Sequence, residues 1–504
     1  MIDTNHKRIA MNTAIMYARM LLVMCISFYS SRLLLSTLGI TDFGILSVVG
    51  SITVTFAAIK GLFSESVQRF LNVAKGKEGS SLEEQRKIFY MSNIIHVALS
   101  VIFIIVVECV GLWLLNNYLD IPEDRFNAAC FVFHISVIAT AISIISIPYD
   151  AVVIANERMS FYAIISLFDS ILKLIFIIIL PIIGWDYLKT YSLFILFVPI
   201  STLVLQFIYC RQFPECSYKV HFDKSLLKSM LHLSSWNFFG NLCFSLIHEG
   251  INMLLNFYGG VVMNASRAIA YQVKSLANQV SNNTLVAIRP RVMQHSVQKD
   301  RSHYFDDIFL LSRLSFFTLA LIIFPLYTFC PNFLQMWLGE YPESAIPFTR
   351  LVLIAVFLRS LHEPINLMNM AFAKIKRQIL IESFIMLLSF GAIYLSFQLT
   401  NNSAMPFIIL SIMEILVMIG LLINANIEVE FPLYAYLTQV IFPMIILSLM
   451  SIITGFLIHK LVFIDNLVII IISAFIYVII ELAICFILLN KRERGILNRL
   501  IKRS

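Results

Sequence analysis

Charge is what this sequence lacks. Only 13% of its 504 residues are Asp, Glu, Lys or Arg, against 59% hydrophobic ones, and the mean hydropathy is +0.85. A chain of this length with so little polar surface cannot cover a water-soluble fold, so a soluble enzyme or nucleic-acid-binding protein is excluded. Paired cysteines are missing too. Cys25, Cys109, Cys130, Cys210, Cys216, Cys243, Cys330 and Cys485 are scattered and none forms Cys-x-x-Cys, so neither a zinc site nor a disulfide framework is indicated, and no cofactor is expected. There is no Gly-x-x-x-x-Gly-Lys-[Ser/Thr] phosphate loop; Gly76-Lys77-Glu78-Gly79 lacks both the spacing and the hydroxyl. Every connection between apolar runs is short. A soluble catalytic domain has no room, and the expectation is that the chain is not an enzyme.

What is present is a series of apolar runs, each long enough to cross a hydrocarbon layer of about 30 Å, and about fourteen of them in all. They lie near 10–36, 43–70, 88–116, 126–155, 160–182, 190–210, 229–257, 267–287, 306–331, 347–373, 378–399, 405–424, 433–458 and 464–489. The polar segment Met1 to Ala10 is short, and the span after it is too long for a cleaved signal core, so the first helix is expected to stay in place. Basic residues concentrate in alternate connections: Lys75 to Lys87, Arg211 to Lys228, Arg289 to Arg301, Lys374 to Arg377 and Lys491 to Arg503. That bias predicts an even number of spans with both termini cytoplasmic, and it accounts for most of the net charge of +7. The C-terminal basic run fits anionic lipid headgroups better than nucleic acid.

The chain is also internally repeated. At one constant offset Leu34-Leu35-(x3)-Gly39 falls on Leu254-Leu255-(x3)-Gly259, Ile88-Phe89 on Ile308-Phe309, and Pro122-Glu123 on Pro342-Glu343. After a short deletion Pro148-(x6)-Ala155-(x2)-Arg158 falls on Pro364-(x6)-Ala371-(x2)-Lys374. Duplicated blocks of spans are characteristic of transporters, whose substrate lies between the repeats. The division predicted is 1–228 for the first six spans, 229–424 for the second six, and 425–504 for two further helices and a basic tail.

Polar residues at membrane depth are costly unless they face a partner or a wet cavity. Span seven carries Asn237, Asn241, Ser245, His248, Glu249, Asn252 and Asn256 at intervals of three and four, and span eight carries Gln272, Lys274, Ser275, Asn278, Gln279, Asn282 and Asn283. One or two amides would merely bond helix to helix; two successive half-polar helices predict a water-filled cavity. The equivalent helices of the first repeat carry cations: Arg19, Arg32 and Lys60. Together with Lys274 they suit an anionic ligand, phosphate above all. Snorkelling to the interface is an equal reading for Arg32. Asp169 with Lys173, and Arg359 with Glu363, are i,i+4 pairs expected to neutralise each other. Glu249 has no helical cation partner; it is expected to pair with Lys274 or to couple transport to an ion. Pro148, Pro181, Pro364 and Pro443 are expected to bend or end helices.

Ser31-Arg32-(x6)-Gly39-(x4)-Gly44, the Ser66-(x2)-Arg69-Phe70 stretch and the repeated Pro148…Ala155…Arg158 turn resemble the Wzx-type O-antigen and capsular polysaccharide flippases of the multidrug/oligosaccharidyl-lipid/polysaccharide (MOP) exporter superfamily. The resemblance spans essentially the whole chain. It implies an all-α integral membrane protein with two six-helix MATE-like lobes facing a central cavity, lined by helices one, two, seven and eight. It further implies a bacterial inner-membrane location and a substrate of oligosaccharide on undecaprenyl pyrophosphate. Partners would be membrane lipids and an assembly of polysaccharide polymerase and glycosyltransferases. A lipid II flippase, a cation-coupled drug exporter and a membrane-embedded polymerase or ligase stay open as alternatives.

Overall fold

The computed structural model describes the backbone of residues 2–57, 67–68, 70–71, 74, 82–156, 158–216, 222–295, 302–371, 375–400, 402–461, 467–490 and 494. Among these every regular element is helical, as the unbroken apolar runs require: with no water to satisfy it, a spanning backbone must bond within itself. Among the described residues eleven stretches are long and apolar enough to cross a membrane. The first of them, Ala18–Val54, takes in parts of two of the runs read from the sequence, 10–36 and 43–70. The polar seventh and eighth runs lie in one further helix, so the architecture is compatible with about fourteen spans.

The chain forms two compact units, Met1–Ala265 and Ser266–Ser504. The first is built from α1 (Ile2–Ala57), α2 (Leu82–Asn117), α3 (Glu123–Ile145), α4 (Ile147–Ala155), α5 (Met159–Ile183), α6 (Tyr187–Cys210) and the first arm of α7 (Lys224–His295). The second holds the rest of α7, then α8 (Ser302–Thr328), α9 (Cys330–Leu338), α10 (Ala345–Arg359), α11 (Glu363–Ala371), α12 (Ile375–Leu399) and α13 (Met405–Val429). It ends with α14 (Leu433–Tyr436), a π-turn (Leu437–Ile441), α15 (Phe442–Leu461) and α16 (Leu467–Leu488).

The two longest helices are each bent once, and at glycine. Gly39 in α1 has φ 75°, ψ 172° and Gly260 in α7 has φ 67°, ψ −174°. This backbone region is essentially closed to residues with a Cβ. The same rare conformation therefore recurs near corresponding places of the sequence repeat, and in each case it turns one apparent helix into two arms. The prolines act similarly. Pro148 begins α4 just after α3 ends at Ile145, and Pro364 follows the break after α10. Pro181 is accommodated inside α5 near its C-terminal end.

At the kink of α7 the broken ladder is replaced by side-chain amides. Asn264 donates from Nδ2 to the Oδ1 of Asn252 at 2.9 Å and to its carbonyl at 2.8 Å. Asn256 donates to Asn264 Oδ1 at 2.8 Å and accepts at 2.7 Å from the backbone N–H of Asp120. Asn252 in turn donates to the Ser47 carbonyl at 3.3 Å. All three asparagines are fully buried. Elsewhere the surface is apolar: Leu387, Phe456, Phe475 and Ile487 are each more than half exposed, on α12, α15 and α16. Such faces match hydrocarbon.

Candidate functional site

The first unit holds an open chamber of about 590 Å³ between four helices and α4. Its walls follow from helical spacing. In α5, Tyr162, Ser166, Asp169 and Lys173 recur at i, i+4, i+7 and i+11, which puts all four on one face. In α3 the same spacing aligns Ser136, Thr140 and Ser143, and the second arm of α1 contributes Gly50 and Thr53. Thr202 and Gln206 of α6 and Asp150 of α4 complete the polar lining, with Leu46, Ile165 and Val198 among its apolar members.

The ionic groups in the wall have partners within it. Lys173 Nζ lies 2.8 Å from Asp169 Oδ2, the pairing expected from their spacing. Gln206 donates to Asp150 Oδ1 at 2.6 Å, while its own Oε1 is buried without a partner. The hydroxyls of Ser143, Ser146 and Thr202 donate to carbonyls of Ala139, Ser143 and Pro199. A hydroxyl spent in this way keeps its lone pairs, so these groups offer acceptors to the chamber. Donors come from Lys173 and from Arg19.

Arg19 reaches the chamber wall from the first arm of α1. Its guanidinium donates to Ser166 Oγ at 3.2 Å and sits 5.1 Å from the centre of the Tyr162 ring. Its Nε is buried without an acceptor. The wall thus combines acceptors for hydroxyl groups with an aromatic face, and Arg19 stands against it through Ser166 and Tyr162.

The remaining expected residues are distributed as follows. Lys60 lies outside the described residues, as do the side chains of Asn237 and Asn241. Arg32 is exposed on α1, and Glu249 is half-buried. Asn252 is taken up in the amide network at the Gly260 kink. In the second arm of α7 Gln272, Lys274, Asn278 and Gln279 are half-buried. Lys274 Nζ stands 4.6 Å from the Tyr271 ring, and the guanidinium of Arg267 stands 3.9 Å from the same ring. Arg267, Tyr271, Lys274 and Asn278 share one face, again at i, i+4, i+7 and i+11. Arg267 was not singled out in the sequence, although its spacing to Lys274 is that signal. The chamber residues of α3 and α5 were not singled out either, although they too recur at helical spacing.

No protein-family model matches the chain, and no curated protein matches it in sequence. Solved structures do. The lipid II flippase MurJ, in an inward closed conformation, superposes with a TM-score of 0.69 at 14% identity over 94% of this chain and 98% of that one. An inward-facing multidrug resistance MATE family transporter of the MOP superfamily gives 0.66 at 13% identity, over 82% of this chain and 95% of that one. A MATE structure in complex with MaD3S gives 0.56 at 13% identity, over 85% and 96%. The chain has the MurJ and MATE fold. The all-α, MATE-like fold that the resemblance implied is therefore established.

Proposed function

We propose that this chain is a flippase that carries an undecaprenyl-pyrophosphate-linked oligosaccharide from the cytoplasmic to the outer leaflet of a bacterial inner membrane by alternating access. The observation that carries the reading is the hydroxyl-lined chamber with Arg19 at its edge, in a chain with the MurJ and MATE fold. In this reading Arg19, Arg32, Lys60 and Lys274 hold the pyrophosphate, and the chamber with Gln272, Asn278, Gln279, Asn237 and Asn241 meets the sugars. Asn252 serves the α7 kink instead. Residues 1–228 and 229–424 act as the two rocking lobes, with 425–504 alongside and both termini cytoplasmic. Glycosyltransferases supply the substrate on one face and a polymerase consumes it on the other. Glu249 is the carboxylate of the seventh span available for ion coupling; normal transport by E249Q under every imposed pH gradient would remove it from that role.

The decisive experiment is deletion followed by leaflet-specific labelling of the lipid-linked glycan. A flippase mutant traps the intermediate facing the cytoplasm. A polymerase or ligase mutant accumulates it on the outer side, and that outcome would sink the proposal. One second reading has a specific observation behind it: the match to the lipid II flippase MurJ. Rescue of cells depleted of their lipid II flippase would move the substrate to lipid II, whereas failure to rescue, with loss of surface glycan on deletion, favours the oligosaccharide.

A further inference from the structure

The break between α10 and α11 gathers ionisable side chains inside the second unit. Arg359 Nε lies 2.8 Å from Glu363 Oε1. His362 Nε2 lies 2.7 Å from Glu414 Oε2 of α13, and only 4% of the His362 side chain is exposed. Lys274 of α7 acts electrostatically on Glu414 as well. Glu382, on α12, lies within the field of His362, Arg359 and Glu363. The direct contacts in this group pair Arg359 with Glu363 and His362 with Glu414. Among the described residues Glu382 has a neutral direct partner, Gln378 on its own helix, whose Nε2 donates to Oε1 at 3.2 Å.

Gln378 shows what is missing from that pair. It is 6% exposed, and its Oε1 is buried with no donor. A carboxylate beside it can only accept, whereas a carboxylic acid can donate. A proton on Glu382 Oε2 gives this pair the donor that the orphan oxygen lacks, while Nε2–H goes on donating to Oε1. Turning the amide over does not remove the need: its oxygen would then face Glu382 Oε1 directly, and its N–H groups would be stranded. The same proton removes a negative charge at membrane depth. A metal cation fits less well, because among the described residues no group of His, Cys, Asp and Glu converges to hold one.

We propose that Glu382 and Gln378 form a proton-binding site in the second unit, with the proton taken from water onto Glu382 Oε2 and returned to water from it. The site stands whatever the transported substrate is. Its test is infrared difference spectroscopy of the full chain in lipid nanodiscs at neutral pH. The expected result is a carboxylic-acid carbonyl band present in wild type and E249Q, lost in E382Q, and shifted to lower frequency in D2O. In Q378L, where the acid loses its amide partner, the band should move to higher frequency. E382Q keeps the shape of the protonated acid; should it nevertheless fail to fold, the Q378L shift decides by itself. Wild-type and E382Q spectra that superimpose, a band unmoved by D2O or by Q378L, or loss of the band on adding sodium at constant pH would each overturn the assignment.

Discussion

Arg313 of α8 shows how a charge at membrane depth can be wholly structural. Pro443 has no N–H, so the carbonyl four residues earlier, that of Gln439, receives no helical hydrogen bond. Arg313 supplies one from NH1, and from NH2 it donates to the carbonyl of Leu488, the last residue of α16. The side chain is buried, and the helix begins with a π-turn at that point. Arg313→Leu strands both carbonyls, at a cost of about 1–3 kcal/mol each. The purified variant should therefore melt well below wild type, and an unchanged melting temperature would show the carbonyls satisfied otherwise. Arg19 makes the opposite case, a cation with a donor left over. Arg19→Ala should lower flipping on the order of tenfold with little effect on melting, and Arg19→Lys should restore it only in part, because a point charge lacks the guanidinium fork. Flipping in reconstituted vesicles reads both variants. Equal activity of all three proteins would remove Arg19 from the substrate path.

Helices of the first unit are clamped where three of them begin or bend. Arg125, in the first turn of α3, bonds bidentately to Asp42 in the second arm of α1 and to Asp186 ahead of α6. Asp186 also caps α6, accepting from the N–H groups of Leu188 and Lys189 at 3.0 and 3.2 Å. Burial opposes ionisation of Asp186, but the Arg125 and backbone hydrogen bonds outweigh it and hold the carboxyl below its ordinary 3.8. A lowered folded value means stability that is present above the unfolded pKa and lost as pH falls through the folded one. Melting temperature should thus fall on acidification below about pH 4, and D186N should start lower and lose less over that range. A parallel decline in both proteins would detach the clamp from the acid response. This level of structure was partly legible in the sequence. Apolar run length gave the helices, and Pro148 and Pro364 marked their breaks, because both signals are local. The fate of Asn252 was not legible: periodicity says which residues share a face, but not whether water or another asparagine stands opposite. The chamber escaped for a related reason. Serine and threonine barely interrupt an apolar run, so the stripes on α3 and α5 acquire meaning only when packing turns them towards one void.

At the scale of the whole molecule, the proposed function needs a force to drive the cycle. Under the proposed function a head group with about two negative charges moves outward, and an inside-negative potential contributes roughly 2.3 kcal/mol per charge per 100 mV. A proton released inward from Glu382 in exchange would add one more charge moving in the favourable sense, and a pH gradient would add about 1.4 kcal/mol per unit. The two sources can be separated. In vesicles loaded with lipid-linked oligosaccharide, wild-type flipping should respond to an imposed potential and, independently, to an imposed pH gradient. E382Q cannot release the proton, so its flipping should lose the pH response, while substrate exchange measured without any gradient reports whether it still binds. A pH response that persists in E382Q would take Glu382 out of the cycle and leave the proton site intact as a structural pair. A wild type indifferent to potential would mean that the head group crosses with its charge compensated, and the cationic residues of α1 and α7 would then have to move with it.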